Sequence, residues 1–424
     1  MPASSFSSST AARVALSALL ALAAVGSRAA PADAALLAAA NAAQPAVIAS
    51  LKDMVLIESG SADAAGLAKM AGYVEARLQA LGARTERIAP ARGPGTMVKG
   101  SFTGTGTRKL MLMAHMDTVY PAGTLATEPY RQDGNKLYGP GIADDKGGIA
   151  VILHSLAILK DAGWRDYAQL TVLFNHDEEV GSTTSGETIA QLAEQHDYVF
   201  SAEPTTAKAV AKTEGLLLGA AGTATATMEV KGRSSHAGAA PEAGRNALIE
   251  LAYQLQQTRD IAKDIPGAQL NWTTAQAGLV RNQIPEKASA GADVRLTAPG
   301  ADERLRAALQ AKVKAGRLVP DTETTVTLQV GRPPYLANDR ARALAAHAQA
   351  IYAELDGRVL TLHPMTGGAT DAGYASRSGK AVVLESFGLP GSGYHARDEY
   401  IEIDSIAPRL YLMTRMLQTV ARAP

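Results

Sequence analysis

Short apolar runs bounded by turn residues alternate with helix-length amphipathic stretches along this chain, and that alternation narrows the fold more than any other feature. Buried strands are expected over 109–114, 169–175 and 198–202. A helix is expected over 67–81, where Leu67, Met70, Val74, Leu78 and Leu81 step at helical spacing. Ser61 or Asp63 supplies its start signal and Gly82 its stop. Further helices are expected over 148–162 and 187–194. This order points to an open α/β sheet with helices on both faces. From about Thr223 the texture changes. Alternating strands over 223–230, 288–296 and 324–330 interleave with amphipathic helices over 241–258 and 302–315. They suggest a small α+β domain inserted into the larger one. The first pattern resumes with 341–355, 382–386 and 406–420. The expected division is a leader over 1–34, a catalytic domain over 35–220 and 333–424, and an insertion over 221–332.

Charge and composition remove several classes of function. Lys plus Arg and Asp plus Glu both number 41, so no general attraction for nucleic acid or an anionic membrane is built in. Without cysteine there is no disulfide, thiol nucleophile or thiolate-bound metal. A bound metal would therefore be held by His, Asp and Glu. The leader is read from a Ser/Ala-rich start ending in Arg13, an apolar run over 14–25, and the small-residue site Ala32-Asp33-Ala34. A secretory signal of this kind is expected, with no other segment of membrane length.

Five short stretches carry candidate chemistry, each at a strand end or in the following loop, where open α/β sheets bind ligands. In Ala114-His115-Met116-Asp117-Thr118, residues two apart on extended backbone share a face. Asp117 can then orient one nitrogen of His115 so that the other faces a metal. The same pair also reads as a satisfied structural contact. The stretch Gly139-Pro140-Gly141-Ile142-Ala143-Asp144-Asp145-Lys146-Gly147-Gly148 sets two adjacent acids before a helix, as a cap or as ligands. Asp177-Glu178-Glu179 follows an apolar strand, and three acids there repel one another unless a cation offsets them. Ser201-Ala202-Glu203-Pro204 and Gly393-Tyr394-His395 complete the set.

Taken together and in this order, the motifs resemble the di-zinc metallopeptidases of the M20 group, closest to bacterial glutamate carboxypeptidases of the carboxypeptidase G2 type. The likeness runs from about Gln44 to the C-terminus and includes 113–120, 138–148, 171–179, 235–241 and 366–372. It implies a zinc-peptidase-like catalytic domain with an inserted ferredoxin-like domain for dimerisation or as a lid. It also implies two Zn2+ per subunit, bridged by Asp144 and a water or hydroxide. His115 and Glu203 would complete one metal site, Glu179 and His395 the other. Glu178 would be the general base, Asp117 would orient His115, and a cis peptide would join Asp144 to Asp145. Three ligand carboxylates and one hydroxide would neutralise two divalent ions, which suits a dry cleft.

The resemblance extends to the insertion. His236, in Ser235-His236-Ala237-Gly238, would reach a neighbouring subunit's site and help to stabilise the oxyanion. Arg295 would bind the substrate's α-carboxylate, with Asn282 and Arg332 as further substrate contacts and 367–371 as a lining glycine loop. His154, His176, His196, His347 and His363 are read as structural. Between Pro204 and Gly222, where the nearest relatives contact an acidic substrate side chain, this chain carries several extra residues. Lys212 and Thr213 are the candidates there. The expected function is zinc-dependent release of a C-terminal amino acid, glutamate foremost, from peptides or N-acyl amino acids. The expected form is an exported homodimer, periplasmic or secreted, with no nucleic acid or membrane partner. An aminoacylase, N-acyl amino acid deacylase or dipeptidase on the same framework is the competing enzyme reading, and a non-catalytic zinc-binding protein the competing non-enzyme one.

Overall fold

The computed structural model describes residues 30–422. From the N-terminus the chain runs α1 (Ala34–Val55), α2 (Ala64–Leu81), β1 (Arg84–Ile88), β2 (Met97–Thr103), β3 (Lys109–His115), α3 (Lys146–Asp161), β4 (Gln169–Asn175), α4 (Gly186–Ala193), β5 (Tyr198–Ser201) and β6 (Glu214–Leu217). It continues through β7 (Gly222–Lys231), α5 (Ala247–Thr258), β8 (Ala268–Ala277), β9 (Lys287–Leu296), α6 (Ala301–Ala315) and β10 (Glu323–Val330). It returns as α7 (Asp339–Ala353), β11 (Leu360–His363), β12 (Val382–Leu384) and α8 (Ile406–Ala421).

The larger sheet has the order β1-β2-β4-β3-β5-β12, and its β4, β3, β5 and β12 are parallel. Those strands are apolar and buried because helices cover both faces of a parallel sheet. Local chemistry sets the ends of the helices. Asp63 caps α2 by accepting the backbone N–H groups of Ala65 and Gly66, and Gly82 ends it at φ 96°. Leu67, Met70, Val74 and Leu78 form its buried face, each worth about 1.5–3 kcal/mol when removed from water.

The β7–α5–β8–β9–α6–β10 segment folds as an antiparallel sheet of order β10-β7-β9-β8, with α5 and α6 packed against it. This βαββαβ order is the ferredoxin-like arrangement. Burial alternates along β7 and β9, and Met228, Leu251, Val294, Leu305 and Leu309 form a core separate from that of the larger sheet.

Several expectations needed correction. The helix expected over 241–258 begins at Ala247, because Pro241–Ala243 makes a 3-10 turn and Asn246 is the cap. The edge strands β1 and β8 had no apolar signature, since most of their side chains are exposed. Among the described residues one helix, α1, is long and apolar enough to cross a membrane by length and composition. Its Leu36, Ala40, Val47, Leu51, Met54 and Val55 are buried, and it packs on α3 and α8. Asp33, inside the expected cleavage site, caps α1 at Leu36 and donates its backbone N–H to Tyr411 at 2.9 Å. The apolar run over 14–25 lies outside the described residues.

Candidate active site

The C-terminal ends of the parallel strands converge on one cleft. His115 is the last residue of β3, Glu178 and Glu179 follow β4, and Glu203 follows β5. Asp144 arrives from the loop before α3, joined to Asp145 by a cis peptide bond. Asp145 caps α3 by accepting the Gly148 N–H at 3.1 Å and also accepts the His115 N–H at 3.3 Å. A Cβ on Gly148 would fall 2.2 Å from the Ala202 carbonyl oxygen, so this close crossing requires glycine. Glu399, which no local motif marks, accepts the backbone N–H groups of Gly141, Ala143 and Asp144 at 2.8, 2.8 and 3.0 Å. Its carboxylate thereby fixes the loop that presents Asp144.

Two imidazoles face the two oxygens of the Asp144 carboxylate. His115 Nε2 lies 3.0 Å from Oδ1 and His395 Nε2 lies 3.2 Å from Oδ2. Each has a second acid beside it: Glu203 at 3.6 Å from His115, and Glu179 at 3.1 Å from His395. On its other side, His115 Nδ1 stands 3.0 Å from the Asp117 carbonyl and 3.4 Å from its carboxylate. Asp117 also accepts the Glu178 and Glu179 backbone N–H groups and the Ser61 hydroxyl. The three acids after β4 take different directions. Asp177 accepts from Thr184 and Ser185 at the turn leading into α4, while Glu178 and Glu179 line the cleft.

Electrostatics show what this cluster lacks. Burial alone would lower the His115 pKa, but Glu203, Asp117 and Asp144 outweigh it and hold it well above the usual imidazole range. His395 is pushed up to about 10 by its contacts with Asp144 and Glu179. Burial raises Glu178, Glu179 and Glu203. Protons thus supply positive charge that a cation could supply instead, and Glu179 Oε1 is buried with no hydrogen-bond partner among the described residues. Two imidazoles, three carboxylates and this orphaned oxygen fit a pair of divalent ions.

Arg332 is buried and turned to Glu178, donating to both its carboxylate and its carbonyl. It also donates to the Ala369 carbonyl at 2.7 Å and the Ser182 hydroxyl at 3.2 Å, with Asp371 3.6 Å from its Nε. Arg332, expected as a substrate contact, lines the cleft and also holds Glu178. Asp371 in turn accepts from Asn175 and Ser182. Arg295 lines the cleft, with its Nε 3.1 Å from Asp293. His236 is exposed in the short strand Ser235–His236 and does not line the cleft of its own chain. Its Nδ1 accepts the Gly238 and Ala239 backbone N–H groups, which places the proton of a neutral ring on Nε2. Asn282 lies beside it, its carbonyl accepting the Ala237 N–H at 2.9 Å, and is also outside the cleft.

Most other histidines have structural surroundings. His154 is hydrogen-bonded to Ser50 and lowered by burial to about 4, His196 bonds Leu192 and Thr171, and His347 is exposed. His176 is buried next to Thr184. His363 differs, because it lines the cleft. Lys212 and Thr213 are absent from the lining.

A model of the peptidase family M20/M25/M40 matches residues 111–419. Carboxypeptidase G2 of Pseudomonas sp. (strain RS-16) is 44% identical over 381 residues, covering 89% of this chain and 90% of that one. The chain belongs to the M20 peptidase family. Among solved structures, an M20 family metallo-carboxypeptidase from Sulfolobus solfataricus has a TM-score of 0.72 at 16% identity, over 89% of this chain and 99% of that one. A dinuclear metal-binding M20 peptidase from Bacillus subtilis gives 0.64 at 14% identity, over 91% and 99%. These two likenesses concern the fold. M20 enzymes are metal-dependent. In this M20 chain the matched segment contains His115, Asp144, Glu178, Glu179, Glu203 and His395.

Proposed function

We propose that this M20 enzyme is an exported, zinc-dependent carboxypeptidase that hydrolyses the amide bond preceding a C-terminal amino acid, glutamate foremost. One observation carries the reading: a single carboxylate, Asp144, meets a different imidazole on each oxygen, and each imidazole has its own second acid. That is the donor arrangement of two adjacent ions sharing one bridging ligand. His115, Glu203 and Asp144 would hold one ion, and His395, Glu179 and Asp144 the other. Zinc suits imidazole and carboxylate donors without thiolate. When bound, such a pair supplies Lewis-acid polarisation of the scissile carbonyl and acidifies water at neutral pH. Glu178 is placed to take the proton from the attacking water and return it to the leaving amine. Arg332 keeps its carboxylate in one orientation, Arg295 receives the substrate's α-carboxylate, and Asp117 fixes the His115 ring.

A panel of N-acyl amino acids and dipeptides with varied C-terminal residues tests this reading directly. Fastest release from acyl-glutamate supports it. Hydrolysis governed by the acyl group, with the C-terminal residue immaterial, overturns it in favour of a deacylase.

Metal loading should be proton-linked. His115 and His395 have raised pKa values, so they carry protons at neutral pH until an ion replaces them. Zinc titrated into chelator-stripped protein should release protons near pH 7 and bind more weakly as pH falls. Calorimetry in buffers of different ionisation enthalpy measures this. Binding without proton release would contradict the ligand set.

A homodimer through residues 223–331 is the second part of the proposal. Leu248 and Ile249 on α5, and Leu279 and Val280 beyond the edge strand β8, are exposed, Leu279 at 98%. Covering such an edge and patch with a second copy is a common solution. It would bring His236 to the partner's cleft, its Nε2–H available to the oxyanion. Mixing His236→Ala with Glu178→Gln chains should then restore about a quarter of the wild-type activity after full exchange, since half the dimers are mixed and each has one complete site. No recovery after proven exchange would count against His236 acting in trans.

A further inference from the structure

β6 and β11 pair in parallel, with Thr361 opposite Gly215 and His363 opposite Leu217. Alternate residues of such a pair share a face. One face enters the body, where Glu214 meets Arg409 at 2.8 Å and Leu216 and Leu360 are buried. The other carries Thr213, Gly215, Leu217, Thr361 and His363, and its Leu217 and His363 line the cleft of about 670 Å3 that contains the acidic cluster. The His363 ring lies over Gly215, where a Cβ would fall 2.4 Å from Nε2. Neither ring nitrogen has a protein hydrogen bond among the described residues. Met365 lines the cleft just beyond. From β6 the chain passes through Gly219–Ala220 into β7, whose Thr223 pairs with Arg295, so one wall runs from His363 to the proposed carboxylate site.

On this wall the unpartnered imidazole of His363 lies between two apolar side chains, Leu217 and Met365. That chemistry matches two methylenes ending in an oxygen acceptor. We propose that His363 is the specificity-determining contact for the side chain of the released amino acid. Its imidazole donates to the terminal carboxylate or carboxamide oxygen of glutamate or glutamine, and Leu217 and Met365 cover the methylenes. The inference rests on the carboxypeptidase reading and gives it a side-chain subsite. Lys212 is outside the cleft and Arg332 is committed to Glu178, so neither competes for this role.

The experiment compares kcat and KM for one acyl group joined to glutamate, glutamine or methionine. Wild-type protein should favour glutamate and glutamine over methionine by about 10–100-fold, the scale for one desolvated hydrogen bond. His363→Leu keeps the bulk and removes the donor. It should lower that ratio at least about tenfold, through a KM that rises more for glutamate and glutamine than for methionine. Gly215→Ala leaves the histidine in place but displaces its ring, so it should lower the ratio too and decides the matter if His363→Leu does not fold. An unchanged ratio in the folded variants, or wild-type preference for methionine, overturns the inference. Failure of the carboxypeptidase reading looks different: wild-type protein would then cleave the C-terminal amides of all three substrates as fast as the free acids.

Discussion

A Glu178→Gln chain should bind the same metal as wild type while its kcat falls by about 10²–10⁴, the usual scale for a lost general base. The substitution keeps the side chain's size and an oxygen able to accept from Arg332, and it removes only the basic carboxylate. Nothing that holds Asp144, His115 or His395 depends on the Glu178 carboxylate: its links to Asp117 run through backbone N–H groups, and its side chain meets Arg332. Elemental analysis beside steady-state kinetics separates the two properties. Loss of metal in this variant would mean that Glu178 and Glu179 have exchanged roles.

Arg295→Ala should lower kcat/KM for a C-terminal free acid by a factor equivalent to about 2–5 kcal/mol, as for one partner removed from a desolvated charge pair. An exopeptidase must measure the free carboxylate, and the guanidinium's planar fork can hold both oxygens. Arg295 sits on β9 opposite Thr223, and both line the cleft. Its Asp293 contact engages Nε, and among the described residues the guanidinium makes no other ion pair. The variant should also discriminate less between the free acid and its amide. Wild-type protein that cleaves both equally would remove the carboxypeptidase reading and leave a general amidase on the same site.

The residues of the acidic cluster stood out in the sequence because they lie at strand ends or in the loops that follow, most of them beside another acid or a proline. The contact between His115 and Asp117 followed from the period of extended backbone, but their roles at a metal came only with the family resemblance. The supports were not legible. Glu399 reaches the Asp144 loop from 255 residues away, and Arg332, Ser182 and Asp371 meet only after three distant segments fold together. No local pattern encodes such contacts. His363, read as structural, lines the cleft: it ends the parallel strand β11 much as His115 ends β3, but no acid stands next to it in sequence. In the fold, the parallel strands and the inserted α+β unit followed from apolar and alternating runs, and its ferredoxin-like form from the family resemblance. The helix α1 was not anticipated, and β1 and β8 were not, because an edge strand facing solvent needs no apolar period.

The central claim is that Asp144 is shared by two ions, and metal content per chain tests it most directly. Wild-type protein saturated with zinc and freed of excess should retain about two ions per chain, while folded Asp144→Ala should retain fewer than about one, because both positions lose a ligand at once. One ion per wild-type chain, or two retained by Asp144→Ala, would contradict the account.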